Sequence, residues 1–299
     1  MGRTLVDRFG WAVAGALALA LIGSLAGVVR GGPLDPPGPP ASTLPLVEPR
    51  TPIRQPASAA GFPIVISTPG SYYLAENITG VAGKAGIWIQ ADAVTIDLNG
   101  FALTGVPGSG DGIVAPSVHR NLSVRNGTVC FWSGGGIYGD NVKDSTYEDL
   151  RLCNNTVGGI RTSGNSLISR VVATGNSAHG ILMHNLVGEG GIIRDSTASD
   201  NVQDGIQVLG RTLVVDNTSI RNGGSAIRVI GSGNRIDSNN VEILAPTGLA
   251  INVVSAGNVI VRNSVHGAFF DSAIVAGNTV GPFETAATPF SHPWANIVY

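Results

Sequence analysis

Eight times in this chain, a small residue directly precedes an isoleucine at nearly the same interval. Successive isoleucines are 26, 24, 23, 21, 25, 21 and 24 residues apart. A period in the low twenties is typical of a solenoid, in which each repeat forms one coil and neighbouring coils complete each other's core. The pairs are Gly86-Ile87, Gly112-Ile113, Gly136-Ile137, Gly159-Ile160, Gly180-Ile181, Gly205-Ile206, Ala226-Ile227 and Ala250-Ile251. This spacing constrains the fold class more than any other feature.

Each repeat contains short strand-like segments separated by turns or loops. In one coil, residues 94–98 and 101–103 flank the tight turn Asn99-Gly100, and residues 113–115 follow a variable loop. The repeat region lacks a sustained 3.6-residue period, which argues against a helical solenoid. The pattern therefore predicts an all-β, single-stranded right-handed parallel β-helix of about nine coils, roughly 40 to 45 Å long.

The chain divides into five segments by composition. Residues 1–26 are predicted to be a signal peptide, because a short apolar run is followed by the small-x-small site Ser24-Leu25-Ala26. The alternative is an uncleaved membrane anchor, and either one places the remainder outside the cytoplasm. The other predicted segments are a Pro-rich linker at 27–60, an N-terminal cap at 61–85, the β-helix at 86–280 and a C-terminal cap at 281–299.

The charge balance narrows the choice of partners. Only 13% of residues are charged, and the formal net charge is −2. A nucleic-acid-binding protein usually carries a basic patch, so we expect no nucleic-acid partner. For an exported solenoid we expect a monomer whose partners are extracellular polysaccharide or cell-surface components.

Asparagine recurs in two columns of the repeat. It tolerates the left-handed backbone of tight turns, and its amide can bond to the same amide one coil away. We therefore predict ladders that stabilise the stack. The first column, at the tight turn, comprises Asn99, Asn126, Asn217, Asn239, Asn263 and Asn278. The second column, five residues before the isoleucine, comprises Asn155, Asn176, Asn201 and Asn222.

The two cysteines, Cys130 and Cys153, lie 23 residues apart, which is one coil. We expect them to stack on adjacent coils about 4.8 Å apart, within the Cα range of a disulfide. An exported protein can oxidise such a pair. The alternative is a pair of buried thiols that act as small hydrophobes, since parallel in-register neighbours rarely offer the required torsion.

Several stretches of the chain resemble exported right-handed parallel β-helix repeat proteins of bacteria, within the pectin lyase-like fold. The resemblance covers residues 48–299. It implies the architecture but no settled activity, because the wider fold includes pectate lyases, polygalacturonases, uronan epimerases and non-catalytic surface proteins. The matching stretches are residues 48–53, Thr68-Pro69-Gly70-Ser71-Tyr72-Tyr73-Leu74, Thr95-Ile96-Asp97-Leu98-Asn99-Gly100-Phe101, Val124-Arg125-Asn126-Gly127-Thr128 and Pro293-Trp294-Ala295-Asn296.

If the isoleucines point inward, the residue after each one points outward and forms a row on one face. Trp88 and Tyr138 in this row can stack on sugar rings, and Arg161 and Arg228 can pair with uronate carboxylates. In the enzymes that the chain resembles, this sheet and its loops form the sugar groove. The alternative is a mixed, solvated sheet face. His184 follows on the same face, so Tyr138, Arg161 and His184 are the candidate catalytic residues.

Three aspartates, Asp195, Asp216 and Asp237, are separated by 21 residues each and are predicted to form a column. Carboxylates about 5 Å apart suit a shared Ca²⁺, and the spacing is also near that of glycosidase carboxylate pairs. The alternative is a surface ion ladder, because Arg170 and Arg262 have the same phase one coil before and after the aspartates.

The motifs of the characterised enzymes of this fold are absent. The chain lacks the clustered aspartates with a downstream His and Arg-x-Lys of polygalacturonases, and it lacks the Asp-Pro-His-Asp signature of alginate epimerases. His179 and Asp204 occupy equivalent positions on neighbouring coils, two residues before an isoleucine, and a His-Asp pair can perform acid–base catalysis. We therefore expect a non-catalytic exported module, structural or polysaccharide-binding. The alternatives are a lyase or glycoside hydrolase acting on uronate-containing glycans, and a self-associating surface stalk.

Overall fold

A computed structural model describes residues 49–184, 189–243, 249–267, 274–285 and 292–299. They lie within one compact unit, Pro49–Tyr299. The predicted signal peptide and most of the predicted linker lie outside the described residues. Among those described, no helix is long and apolar enough to cross a membrane, and the one helical element is a 3-10 turn at Ala59–Gly61.

The chain forms short strands joined by tight corners. Three sheets of nineteen, nine and two strands result, and all the strand pairs are parallel. In chain order the strands are β1 (Thr51–Ile53), β2 (Ile64–Ile66), β3 (Gly70–Leu74), β4 (Ile78–Thr79), β5 (Ile87–Ile89), β6 (Val94–Asp97), β7 (Ala102–Thr104), β8 (Ile113–Val114), β9 (His119–Arg120), β10 (Leu122–Cys130), β11 (Gly135–Gly139), β12 (Val142–Lys143), β13 (Thr146–Cys153), β14 (Gly158–Thr162), β15 (Ser166–Thr174), β16 (His179–Met183), β17 (Gly191–Arg194), β18 (Thr197–Ser199), β19 (Ile206–Val208), β20 (Thr212–Val215), β21 (Thr218–Asn222), β22 (Ile227–Val229), β23 (Arg235–Asp237), β24 (Asn240–Ile243), β25 (Ile251–Val253), β26 (Val259–Val261), β27 (Ser264–His266), β28 (Thr279–Val280), β29 (Phe283–Thr285) and β30 (Asn296–Val298).

The isoleucine repeat forms the inner face of the nine-stranded sheet, whose order is β2-β5-β8-β11-β14-β16-β19-β22-β25. Ile64 pairs with Ile87, and each repeat isoleucine then pairs with the next as far as Ile251. The eight repeat isoleucines are at most 2% exposed. The predicted β-helix of about nine coils is therefore confirmed, and its core is a stack of branched side chains that supply one another's contacts.

The corners between strands depend on residues with positive φ. Such a backbone turns the chain sharply, and it is reached most easily by glycine, asparagine and aspartate. In three columns, one such residue recurs in most coils. The first column contains Asn99, Asn126, Asp149, Arg170, Asp195, Asp216, Ser238 and Arg262; the second Phe131, Asn154, Gly175, Asp200 and Arg221; the third Ala93, Asn121, Asp144, Asn165, Arg211, Gly233, Gly257 and Gly277.

The side chain that follows most of these positive-φ positions points into the core, and there the asparagine ladders form. In the predicted second column, the Nδ2 atoms of Asn155, Asn176 and Asn201 each donate to the Oδ1 atom of the next rung, at 3.1, 2.9 and 2.9 Å. Each Oδ1 atom also accepts the backbone N–H of the preceding rung, as from Asn176 to Asn201 at 3.0 Å. This column is continuous from Asn155 to Asn222, and its amides satisfy backbone groups at the corner.

The predicted first column is only half correct. Asn217, Asn239 and Asn263 form a ladder that continues to Asn296, with each Nδ2–Oδ1 distance at 3.0 Å. Asn99 and Asn126 are instead the positive-φ corner residues themselves, and both are exposed. Their amides bond to the Leu74 carbonyl and to Asp97 Oδ1 instead, and the following residue in each case is a glycine, which has no side chain to form a rung.

Asn278 belongs to a third ladder, which the sequence analysis did not separate from the first. Asn234 donates to Asn258 Oδ1 at 2.9 Å, and the backbone N–H of Asn258 donates to Asn278 Oδ1 at 2.8 Å. This ladder follows the third corner column. The distinction could not be made from asparagine spacing, because all three corners recur with the same coil period.

The glycines that precede the repeat isoleucines leave room for the second ladder. A Cβ atom on Gly180 would lie 2.6 Å from Asn201 Nδ2, and one on Gly205 would lie 2.4 Å from Asn222 Nδ2. In earlier coils the buried indole of Trp132 takes this space, 2.9 Å from a Cβ atom on Gly112. Beyond Asn222 the sequence has no asparagine five residues before the next isoleucine, and alanine replaces glycine at Ala226.

The coil stacking starts before residue 86, where the β-helix was predicted to begin. β1 pairs with β3 and β3 with β6, so coil stacking begins at Thr51, within the predicted linker. Strands of the predicted N-terminal cap are likewise stacked coil strands, since β2 pairs with β5. In the predicted C-terminal cap, β30 pairs with β27 and β29.

Candidate functional site

The outer face of the nine-stranded sheet carries the predicted row of outward side chains. Trp88, Val114, Tyr138, Arg161, Leu182, Gln207, Arg228 and Asn252 pair in this order across successive strands. Strand alternation explains the row, because each member directly follows an inward isoleucine. Trp88 at one end is 37% exposed, whereas Leu182 and Gln207 in the middle are each 9% exposed. The middle of the face is therefore recessed.

A recess of about 240 Å³, hereafter the sheet groove, lies over strands β11, β14 and β16. Tyr138, Arg161 and Leu182 form part of its lining, and His179 and Val157 border it. Gly135 and Gly158 pair in adjacent strands and also line it. Without side chains at these two positions, the backbone itself is accessible at the edge of the groove.

Tyr138 and Arg161 form one unit with Asp140. The Arg161 guanidinium carbon lies 5.5 Å from the centre of the Tyr138 ring, within the range of a cation–π contact. Arg161 Nε donates to Asp140 Oδ1 at 2.5 Å, and the Tyr138 hydroxyl donates to Asp140 Oδ2 at 3.3 Å. Burial, together with the nearby Asp140 carboxylate, raises the pKa of Tyr138, so this phenol is protonated at neutral pH.

The Asp140 pairing changes the expected role of Arg161. The ion pair balances the charge of Arg161, but a guanidinium has five N–H donors and the Arg161 side chain is 39% exposed. It therefore retains donors for a ligand and is held in one orientation by its partner. Asp140 was not among the residues predicted from sequence, although its place two residues after Tyr138, directly past the end of β11, was a usable signal.

His179, Asp204 and Arg228 lie on successive coils beside the groove. His179 Nδ1 is 3.3 Å from Asp204 Oδ2, and Arg228 Nη1 is 3.9 Å from the same oxygen. Asp204 is 4% exposed and accepts the Ser225 N–H at 2.7 Å. Burial alone raises the pKa of Asp204, but the His179 imidazole and the Ser225 N–H outweigh it and hold this pKa below the usual carboxyl range.

Asp204 should make the fold sensitive to acid. Its pKa is lower in the folded chain than in the unfolded chain, so its stabilising effect is present at neutral pH and is lost as pH falls below about 4. We expect the Asp204→Asn variant to have a lower melting temperature than the wild type at pH 7. This difference in melting temperature should shrink progressively as the pH is lowered toward 2.5. Thermal melts monitored by circular dichroism at several pH values measure this. A constant difference across that range would contradict the assignment.

A second recess, of about 390 Å³, lies beside Trp88 and Val114. Asp111 borders it and accepts the Gly135 N–H at 2.6 Å. Burial raises the pKa of Asp111 more than this hydrogen bond lowers it. Asp111 was not among the residues predicted from sequence, although it stands two residues before Ile113, as His179 and Asp204 stand before their isoleucines.

Two other predicted residues lie apart from the groove centre. His184 follows the end of β16, where its backbone N–H donates to the Thr162 carbonyl at 2.7 Å, and His179 rather than His184 lines the groove. Arg228 is in the outer row, but beside Asp204.

The predicted aspartate column is out of register at one position. Asp195 and Asp216 both occupy the first corner column, but the next corner residue is Ser238, and Asp237 pairs with Val215 inside a strand. The coil from Asp216 to Ser238 has 22 residues, so the constant spacing of 21 misplaced the third carboxylate. Across the described ranges, no group of three or more His, Cys, Asp or Glu side chains is placed to hold a metal ion.

The predicted ion ladder is also arranged differently. Arg170 Nε donates to Asp149 at 2.7 Å rather than pairing with Asp195. Arg262 pairs with the buried Asp237. Salt bridges therefore occur at both ends of the column but do not run continuously along it.

Cys130 and Cys153 are in register on β10 and β13, with Cα atoms 4.7 Å apart and their sulfur atoms bonded. Of the two sequence alternatives, the structure contains the disulfide. The bridge joins two coils just before Trp132, whose indole fills the core next to the glycine column.

Comparison with known proteins supports the architecture. Residues 135–281 match a family described as right handed beta helix region. No curated protein sequence matches the chain. The resemblance to β-helix proteins of the pectin lyase-like fold is therefore confirmed at the level of the fold.

Three solved structures to which this chain is similar are the following. An alginate lyase from Paenibacillus sp. str. FPU-7 is 16% identical, with 78% of this chain and 83% of that chain covered and a TM-score of 0.50. Pectate lyase Pel9A is 13% identical, with coverage of 78% and 64% and a TM-score of 0.50. The Azotobacter vinelandii mannuronan C-5 epimerase AlgE4 A-module is 12% identical, with coverage of 76% and 80% and a TM-score of 0.43. At identities this low, the alginate lyase and the pectate lyase show the fold alone.

Proposed function

Because the chain is a right-handed parallel β-helix protein of the pectin lyase-like fold, we propose that it is an exported polysaccharide-binding module. It holds a uronate-containing glycan along the outer face of the nine-stranded sheet. The observation that carries this proposal is the unit of Tyr138 and Arg161 in the sheet groove. An aromatic ring and a guanidinium 5.5 Å apart offer a stacking surface and a carboxylate partner on adjacent coils.

The length of the outer row suits a polymer rather than a single sugar. From Trp88 to Arg228 the row crosses six strand spacings, about 29 Å in total. The recesses beside Trp88 and Tyr138 follow each other along this line. Trp88 and Arg228 thus extend the contact on either side of the groove.

The charge arrangement favours binding over cleavage. Glycoside hydrolysis uses two carboxyl groups, one protonated as an acid and one free as a base or nucleophile. Asp140 is engaged by Arg161, and Asp204 lies against His179 and Arg228. The lowered pKa of Asp204 keeps this carboxyl ionised, so it is a poor general acid at neutral pH.

A lyase or hydrolase acting on uronate-containing glycans is the second candidate function. Two observations favour it: the Tyr138 ring packs against Arg161, and burial raises the pKa of Asp111. A carboxyl with a raised pKa is a candidate proton donor. Catalysis would then use Tyr138 and Arg161 with Asp111 or His179, while His184 remains a candidate from sequence only.

Location and assembly complete the proposal. The predicted signal peptide at residues 1–26 supports an extracytoplasmic protein, secreted or at the cell surface. The partners proposed are extracellular polysaccharide or cell-surface components, bound by a monomer. A role for Ca²⁺ is tested by adding or omitting the ion in the turnover assay described below.

Substitutions at the groove test the binding proposal. We expect Tyr138→Ala to weaken binding of oligogalacturonate or oligomannuronate about tenfold, because the stacking surface and the Arg161 support are both lost. Arg161→Met should weaken binding of these acidic oligosaccharides to a similar extent. Isothermal titration calorimetry of the purified protein measures both effects, with Asn252→Ala at the far end of the same row as the matched control.

A turnover assay separates binding from catalysis. Pectate, polygalacturonate, alginate and neutral glucans are offered with and without Ca²⁺, and products are followed by unsaturated-uronate absorbance and by reducing ends. Product formation that Arg161→Met abolishes would establish the second candidate function. Binding without product supports the module. Neither binding nor product, from folded protein, would leave a purely structural role.

A further inference from the structure

A third recess, of about 440 Å³, lies near the C-terminus on the outer face of the nineteen-stranded sheet. It is bounded by Arg235 in β23, by Val259 and Val261 in β26, and by Trp294. Paired strands bring these residues together, because Arg235 is in register with Val259. The sheet groove lies on the nine-stranded sheet, so the two recesses are on different sheets of the β-helix.

The backbone at Trp294 is held firmly although its side chain is 46% exposed. The Arg262 N–H donates to the Trp294 carbonyl at 3.4 Å. A Cβ atom on Gly281 would lie 1.8 Å from the same oxygen, so only glycine permits this approach. Two residues later, Asn296 forms the last rung of a buried asparagine ladder. The exposed indole is thus displayed from a fixed position.

A buried carboxylate holds two guanidinium groups beside this indole. Asp237 is 2% exposed and accepts Arg262 Nε at 2.6 Å and Arg235 Nε at 2.8 Å. Burial raises the pKa of Asp237, but Arg262, Ser238 and Arg235 outweigh it and hold this pKa below the usual carboxyl range. Asp237 therefore stays ionised and fixes both arginines.

The two guanidinium carbons, of Arg235 and Arg262, lie 5.7 and 5.2 Å from the Trp294 ring centre. Their side chains remain 40% and 44% exposed. Asp237 pairs with both guanidinium groups, and the Asp216 carboxylate also acts on Arg262, so two partly exposed cations lie next to an aromatic ring and an apolar floor. Each guanidinium has five N–H donors, so donors remain beyond those that Asp237 engages.

We propose that this recess binds an acidic sugar residue, with the apolar face of the sugar on Trp294 and the floor valines, and its carboxylate paired with Arg235, the arginine that lines the recess. The choice of a sugar rests on the proposed function, whereas the charge and shape of the recess do not. Its volume falls within the range of small-molecule sites, which combine apolar linings with a few fixed polar groups. A guanidinium matches a carboxylate in geometry, which favours the acidic sugar over a neutral one.

A second site on a different sheet would make the protein bivalent. One molecule could then hold two glycan chains, or two stretches of one chain, and would gain affinity for the polymer without any new contact. Short oligosaccharides cannot reach both sites, so they report on each site separately.

The experiment is calorimetric titration of the purified protein with trigalacturonate, with maltotriose as the neutral comparison. We expect two binding events for the wild type, of which Trp294→Ala abolishes one and Tyr138→Ala the other. Arg235→Met should weaken trigalacturonate binding at the C-terminal recess at least tenfold. Tyr299→Ala, at an exposed aromatic residue that does not line the recess, is the matched control.

Tryptophan fluorescence makes the test independent of calorimetry. Ligand should quench the emission of the wild type and of Trp88→Phe, and the quench that belongs to the C-terminal recess should be absent in Trp294→Phe. Folding of every variant is checked by its circular dichroism melt. If only Tyr138→Ala alters binding, this proposal is overturned and the groove stands. If only Trp294→Ala does so, the C-terminal site stands and the groove proposal fails.

Discussion

Replacing Asn201 by alanine should destabilise the fold by about 4 kcal/mol, the largest effect expected of any single side-chain truncation considered. Asn201 is 1% exposed and is an internal rung of its ladder. The substitution removes four hydrogen bonds, two from Asn176 to its Oδ1 atom and two from its Nδ2 atom to Ala173 and Asn222. Water cannot replace them without entering the core, so buried donors and acceptors are left unpaired.

Chemical denaturation monitored by circular dichroism measures this loss. Asn252→Ala is the matched control, because that asparagine belongs to the outer row and should change stability by no more than about 0.5 kcal/mol. Equal effects at the two positions would show that the ladder contributes no more than any asparagine side chain. A smaller effect for Asn155→Ala than for Asn201→Ala is also expected, since Asn155 is the terminal rung of the column.

Replacing Gly205 by alanine should destabilise the fold by about 3 kcal/mol, although the same substitution at an unstrained exposed site is often stabilising. The new Cβ atom would lie 2.1 Å from Ser219 Oγ, 2.4 Å from Asn222 Nδ2 and 2.9 Å from the Ala226 carbonyl oxygen. All three neighbours are buried. Relief would need movement of the ladder or of the next coil, because close-packed interiors have no spare volume.

The equivalent position one coil later provides the control. Ala226 already carries a methyl group, so Ala226→Gly should cost only about 1 kcal/mol through lost packing and greater backbone freedom. Chemical denaturation curves of the Gly205→Ala and Ala226→Gly variants measure the two losses of stability. Comparable losses from Gly205→Ala and Ala226→Gly would mean that the glycine column does not make room for the asparagines.

Much of the fold could be predicted from the periodicity of the sequence alone. The spacing of the isoleucines predicted the β-helix, the register of the core column and the outward row that contains Tyr138 and Arg161. That was possible because strand side chains alternate, and because stacked coils place equivalent residues in register. The sequence also shows the small residue before each isoleucine. Spacing does not tell which of these positions requires glycine, because that depends on the asparagine ladder packed against Gly205.

The corners were harder to assign from sequence. Asn99 and Asn126 were assigned to a ladder that they precede by one residue, and Asp237 was assigned to a column that it misses by one. At a corner, a one-residue shift exchanges an outward side chain for an inward one. Coil lengths vary from 21 to 26 residues, so the phase at a corner depends on where the positive-φ residue falls.

The sequence by itself therefore determined the solenoid, its core column and the face on which a ligand would lie, since these follow from local alternation repeated once per coil. The tertiary structure alone decided the pairing of charges across coils. Asp140 engages Arg161, Asp204 lies against His179 and Arg228, and Asp237 holds two arginines beside Trp294. Apart from Arg235 and Asp237, which lie in one strand, these pairs join residues one coil apart. They form through side chains whose directions depend on each corner, and residue spacing does not encode those directions.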